Sequence, residues 1–101
     1  QQGPCDMLVN GQIRVQCKAT QLAGGKRSGT VRLRRMVGVG RTRQYNTDEF
    51  DILIACIADC NGKLLGIFVI PIEVLEEHGL VGLAKSVGTL TLHVPDEKLR
   101  L

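Results

Sequence analysis

Residues 5–19 read CDMLVNGQIRVQCKA, and the way its two arms pair decides what the chain can be. From Ile13 to Lys18 apolar and polar residues alternate, the period of a strand with two unlike faces. Met7 and Val9 are apolar on the far side of the turn signal Asn10-Gly11, so the stretch is a predicted hairpin. A two-residue loop at Asn10-Gly11 pairs Asp6 with Val15. A three-residue loop, Asn10-Gly11-Gln12 with Gly11 left-handed, pairs Val9 with Ile13 and Asp6 with Gln16; both lengths are common. A slip of one residue moves every side chain to the other face, so the apolar pattern chooses between them. Only the longer loop gathers Cys5, Met7, Val9, Ile13, Val15 and Cys17 on one face, the predicted core side. The opposite face, predicted to meet solvent, then holds Asp6, Gln16 and Lys18, with Leu8 and Arg14 nearer the turn.

An acid, an amide and an amine on one sheet face have a chemistry in common. Asp6 offers a hard carboxylate oxygen to Mg²⁺ and Gln16 a weaker carbonyl. Lys18 points the same way and could orient a water or offset charge building on a phosphate. From spacing alone, an ordinary solvated face is the better reading.

Pro4-Cys5-Asp6, followed at hairpin distance by Gln16-Cys17-Lys18, resembles the PD-(D/E)xK nuclease signature with Gln replacing the second acid. The segments 45–53 (YNTDEFDIL) and 66–71 (GIFVIP) are similar to later strands of one branch, the homing endonucleases of group I introns, some of which use Gln at this place. The ordered set spans nearly the whole chain. The resemblance implies a restriction-endonuclease-like mixed sheet with flanking helices, α/β in class, and metal-dependent hydrolysis of double-stranded DNA. It implies Asp6, Gln16 and Lys18 as the catalytic set. Mg²⁺ or Mn²⁺ would be held by Asp6, Gln16 and the backbone carbonyl of Cys17. The family's helix before the first strand carries a further acid, and Gln1-Gln2-Gly3 do not match it. Residue 1 is Gln rather than Met, so a longer protein is expected, with an amphipathic helix and its carboxylate just before Gln1. The alternative is a catalytically inactive nucleic-acid-binding or assembly module that keeps the fold.

The chain of 101 residues is long enough for one domain with a single core. Its 44% hydrophobic and 23% charged content are those of a globular protein. No apolar run approaches the roughly 18 residues that span a bilayer, and no signal-peptide pattern appears. A net charge of +3 conceals a lopsided distribution: nine Lys or Arg and no acid from Met7 to Thr47, then nine acids against four bases from Asp48 onward. A stretch so free of acids suits a polyanion as well as plain solvent. The candidate phosphate contacts are Arg14, Lys26, Arg27, Arg32, Arg34, Arg41 and Arg43, with Tyr45 as either a stacking residue or the rim of the core.

Of the four cysteines, Cys5 and Cys17 fall on the apolar face of the hairpin and Cys56 lies in an apolar strand. Cys56-x3-Cys60 lacks the paired short spacings of a zinc site. Buried thiols in an intracellular, reducing compartment are expected, with a cross-strand Cys5–Cys17 disulfide left open.

Residues 21–29 (QLAGGKRSG) form a predicted loop, and Val31 to Arg34 alternate with both arginines on one side. Residues 50–58 (FDILIACIA) are almost continuously apolar, as for a strand covered on both faces. Asp59-Cys60-Asn61-Gly62 is a turn and Leu64 to Ile70 the antiparallel return. Pro71 then opens a helix from Ile72 to His78, stopped at Gly79, with Ile72 and Leu75 inward and Val74 a further candidate for the buried side. Leu80 to Ser86 suits another turn of helix, and Thr89 to Val94 a last strand with His93 outward. The sum is five or six strands with one or two short helices, α/β or alternatively α+β. Whether the chain forms a homo-oligomer is open.

Overall fold

The computed structural model describes residues 7–82 and 88–95. Its hairpin takes the three-residue loop. β1 (Met7–Val9) and β2 (Ile13–Gln21) pair antiparallel, with Met7 opposite Val15 and Val9 opposite Ile13. Gln12 N–H donates to the Val9 carbonyl at 3.0 Å. Two residues rather than one are left-handed, Asn10 at φ 54° and Gly11 at φ 68°. Asn tolerates that region better than other side-chain-bearing residues, which makes Asn-Gly a turn sequence.

β2 then finds a partner far along the chain. β6 (Ile52–Ala58) runs parallel to it, Val15 opposite Ile52 through Gln21 opposite Ala58. β7 (Leu64–Pro71) returns antiparallel on β6, giving a mixed sheet in the order β1-β2-β6-β7. The 59–63 turn is closed by the Asp59 carboxylate, which accepts from the N–H groups of Asn61 and Lys63 at 2.9 and 2.8 Å. Between β2 and β6 the chain adds β3 (Ser28–Arg32), β4 (Arg34–Gly38) and β5 (Arg41–Gln44). β4 pairs with β5, while β3 pairs with the last strand, β8 (Thr89–His93).

The helix α1 covers Ile72–Glu77, one residue shorter than expected, with Pro71 as its N-cap and His78 as its C-cap residue. Pro71 fits there because its φ of −64° is already helical while its ψ of 149° still belongs to the strand. Gly79 follows at φ 73°, and Ile72 and Leu75 face inward while Val74 is exposed. With one parallel pair and one six-residue helix among the described residues, the architecture is α+β; the α/β expectation fails because sheet, not helix, fills the β2-to-β6 crossover. More strands form among the described residues than the five or six expected, since 28–44 holds three short ones, β3 to β5, with Leu33 separating β3 from β4 within the stretch read as one alternating run. The helical turn expected over 80–86 falls partly outside the described residues.

A second correction concerns which face is covered. Leu53, Ala55 and Ile57 of β6 are fully buried, and beside them on β2 lie Gln16, Lys18 and Thr20. Over this face pack Leu33, Tyr45, Phe50, Leu75 and Val81. The face carrying Met7, Val9, Ile13 and Cys17, predicted to be the core, is exposed at those residues, though Val15 is buried. The cause is local. β6 is apolar on both faces and cannot select one, so the side on which β3, β8 and α1 settle decides. Cys17 and Cys60 are exposed and Cys56 is half-buried, so these thiols are not the buried set that was expected; Cys5 lies outside the described residues.

The crossover is pinned at its far end by Arg14 and Asp51. The Asp51 carboxylate accepts from the Arg14 backbone N–H at 2.8 Å and from its guanidinium at 3.0 and 3.2 Å. Asp51 N–H donates back to the Arg14 carbonyl at 2.8 Å, and a further Arg14 N–H reaches the Asp48 carbonyl. The Arg14 side-chain hydrogen bond, then its backbone N–H, holds the Asp51 carboxyl below the usual carboxylate range. The sign follows directly. A depressed folded value stabilises the protein above the unfolded carboxylate value, and that contribution is lost as pH falls through the folded one. Both side chains are more than one-third exposed, so solvent discounts the effect. Thermal melts in acid should therefore show Asp51→Asn losing less stability than the wild type as pH drops below the carboxylate range. Parallel curves would mean that this pair does not titrate with folding.

Candidate functional site

The described part of the predicted catalytic set sits on the covered face of β2. Gln16 is only 6% exposed, opposite Leu53, and Lys18 is half-buried, opposite Ala55. Both were expected to face solvent. They lie inward because the register that pairs β2 with β6 turns their face toward the side that the other elements cover. Asp6 lies outside the described residues. Gln16 and Lys18 do share a face, as the alternation required.

What holds Lys18 is an aromatic ring. Its Nζ lies 5.7 Å from the centre of the Tyr45 ring, within reach of a cation–π attraction worth about 0.5–1 kcal/mol at partly solvated sites. Tyr45 is itself fixed edge-to-face on Phe50, ring centres 5.2 Å apart at 89°. It is 3% exposed, so of its two predicted roles the structure gives it the one in the core. Its carbonyl accepts from Gly82 N–H at 2.9 Å. Gly82 has φ 79°, and a Cβ there would come within 2.9 Å of Thr47 Cγ2, so a residue with a side chain would push this support apart.

The turn between Tyr45 and Phe50 is organised by Glu49, a residue the sequence reading passed over. Its carboxylate, 7% exposed as a residue, takes a two-pronged contact from Arg43 at 2.5 and 2.7 Å. It also accepts from the Asn46 N–H at 2.9 Å. This hydrogen bonding to Glu49 raises the Arg43 guanidinium above its ordinary pKa. Planar fork-to-carboxylate pairing is strong and directional, and it fixes the segment that carries Tyr45. The available signal was Asp48-Glu49-Phe50-Asp51, where the acid-free stretch ends. Its acids turn back onto the basic half.

That pairing thins the expected basic surface. Arg14 and Arg43 are engaged with Asp51 and Glu49, and Tyr45 is in the core, so these three are not the open phosphate contacts expected of them. Lys26 and Arg27 are exposed in the 22–27 loop, whose Arg27 carbonyl accepts from Val94 N–H at 2.8 Å. Arg32 is exposed on β3 and Arg41 at the start of β5. Arg34 is half-buried, and a Cβ on Gly88 would lie only 3.2 Å from its Cγ.

For a divalent cation, the described donors are the Gln16 side-chain oxygen and the Cys17 carbonyl, hard but neutral. Oxygen is the right donor type for Mg²⁺, and the negative charge the ion needs would come from Asp6. Among the described residues no three His, Cys, Asp or Glu side chains converge on a point. None of the described helices is long and apolar enough to cross a membrane. Comparison of the chain with protein-family models, with curated proteins and with solved structures gave no match to any of them.

Proposed function

We propose that the chain is a metal-dependent DNA endonuclease domain of restriction-endonuclease-like fold, hydrolysing phosphodiester bonds. The observation that carries the proposal is the shared face of Gln16 and Lys18 on β2, with the ammonium seated over a ring that is itself locked in the core. In this reading Asp6 stands opposite Gln16 across the hairpin. Asp6, Gln16 and the Cys17 carbonyl would hold Mg²⁺, which supplies a Lewis acid when bound. Lys18 donates a hydrogen bond to a non-bridging phosphate oxygen as charge gathers there, or orients the attacking water. Water adds to phosphorus and gives up a proton to solvent, while the bond to the leaving sugar oxygen breaks and that oxygen takes a proton from solvent. Lys26, Arg27, Arg32 and Arg41, exposed on the loop, β3 and β5, contact the phosphates of duplex DNA.

One observation favours the second reading, a catalytically silent module that binds nucleic acid. Gln16 is almost fully covered, and a neutral, enclosed amide is a weak metal ligand. Incubation of the protein with supercoiled plasmid and Mg²⁺ or Mn²⁺ separates the two. Metal-dependent nicking supports the nuclease; tight binding without nicking supports the module. Gln16→Glu restores a charged ligand and should preserve or increase the metal response.

The phosphate contacts have their own test. Arg32→Ala and Arg41→Ala should each flatten the log–log salt dependence of duplex binding by roughly 0.9. Arg43→Ala should chiefly lower thermal stability, because its charge is spent on Glu49. Binding unmoved by salt, or by either exposed arginine, removes nucleic acid as the partner.

A further inference from the structure

We infer that the uncovered face of the β1-β2-β6-β7 sheet is a self-association surface, closed by the same face of a second copy of this chain. The face is apolar and open along both flanks. Met7, Val9 and Ile13 are 45, 40 and 39% exposed at one side, and Ile67 and Val69 are 57 and 63% exposed at the other. Between them run Cys17, exposed, and Ile54 and Cys56, half-buried. Register places all of these on one side, since Val9 pairs with Ile13, Cys17 with Ile54, Ile54 with Val69, and Cys56 with Ile67. No position facing this way on the four strands is charged, and Gln21 is the sole polar one.

The sequence of β6 asks for a cover here. Its run ILIACIA is apolar on both faces, the pattern of a strand buried on two sides, and it lies parallel to β2 in an arrangement seldom left bare. One side is closed by the core. The other is not.

Two considerations select a second copy. A charged partner would find nothing to pair with, whereas an uncharged flat face complements itself in a two-fold contact. Area is sufficient but not large. The five flanking residues expose roughly 450 Å² per copy, within the range of the largest apolar patches on monomers, and with Cys17 and Ala19 two faces would bury about 1,000 Å², the lower bound for a specific interface. The two sheets would pack about 10 Å apart with strands near −30°, as in a sandwich. The exposed arginines of β3 and β5 lie on separate elements, so the contact needs no close approach of like charges.

Sedimentation equilibrium of the whole chain over a wide concentration range tests this directly. Weight-average mass should rise from 11.0 kDa toward twice that value. Val69→Lys, and separately Ile67→Glu, should hold the mass at the monomer value at every concentration, with an unchanged amide NMR fingerprint showing that the fold persists. In the wild type, concentration-dependent shifts should centre on Met7, Val9, Ile67 and Val69. A monomer at the highest concentration overturns the proposal and leaves the face to a segment or partner of different sequence. A dimer that survives both variants, or shifts centred on β3 and β8, overturns it in favour of another surface. Because no DNA or metal is present, failure here is distinct from failure of the nuclease reading.

Discussion

Lys18→Ala is expected to reduce metal-dependent cleavage of duplex DNA by about 10²–10³-fold or more, the cost of removing one preorganised group from a developing charge. The argument rests on what fixes the ammonium. Lys18 lies over Tyr45, and Tyr45 is buried and braced by Phe50, so the charge is presented in one place. Loss of a half-exposed lysine costs the fold little, about 0.5–1 kcal/mol for the ring contact. Cleavage and stability therefore separate: activity collapses while the melting temperature moves by a few degrees. Lys18→Arg keeps a charge but not its compact shape, and should recover binding more than cleavage. Single-turnover nicking of plasmid, with thermal melts of the same samples, decides the matter. Full activity in Lys18→Ala removes the residue from the mechanism.

Phe50→Ala is the substitution expected to harm the fold most. Phe50 is fully buried and stands at the junction of the Glu49 turn, β6 and the Tyr45 ring. Truncating a buried Phe costs about 3–5 kcal/mol in lost transfer energy and residual cavity. A domain of this size has about 5–15 kcal/mol in all, so the variant should melt roughly 15–30 °C lower or fail to fold. Phe50→Leu keeps most of the volume and should lose far less. Glu49→Gln is the comparison that decides between packing and charge, since it keeps size and removes the ionic partner of Arg43. Gln keeps one oxygen to accept from Arg43 or Asn46, and the Arg43 side chain is more than one-third exposed, so solvent discounts the lost charge and Phe50→Ala should still be the worse of the two. Denaturant unfolding of the three variants measures it. A larger loss in Glu49→Gln would mean that the ionic turn, not the aromatic pair, holds this end of the sheet.

The hairpin register was legible because a slip of one residue would have scattered Met7, Val9 and Ile13 onto both faces. So were the β6 turn, the return strand and the Pro71 helix, each bounded by residues with fixed backbone habits. Which face of the sheet is covered was not legible. Alternation sorts side chains into two sets, but it does not say which set meets the core, and in β6 both sets are apolar. Gln16 looked like a solvent residue for the same reason. The Glu49 and Asp51 pairings were hidden by distance in the chain: Arg14 and Asp51 are 37 residues apart. Charge asymmetry suggested an open basic half, and two of its arginines, Arg14 and Arg43, are paired with Asp51 and Glu49.

The parallel seam between β2 and β6 has a consequence for the order in which this protein is made. Three of its strand pairs, β1 with β2, β4 with β5 and β6 with β7, are neighbours in the chain and can close as soon as both arms exist. The seam cannot. It must wait for residues 22–51 to be looped out, at a chain-entropy cost of roughly 3 kcal/mol before any ladder bond repays it. On a ribosome the first hairpin emerges with one edge of β2 bare, and it stays bare until β6 arrives. The stretch made in that interval is basic and free of acids, and the acids of Asp48-Glu49-Phe50-Asp51 appear just as β6 begins. Charge sequence and strand order are in step.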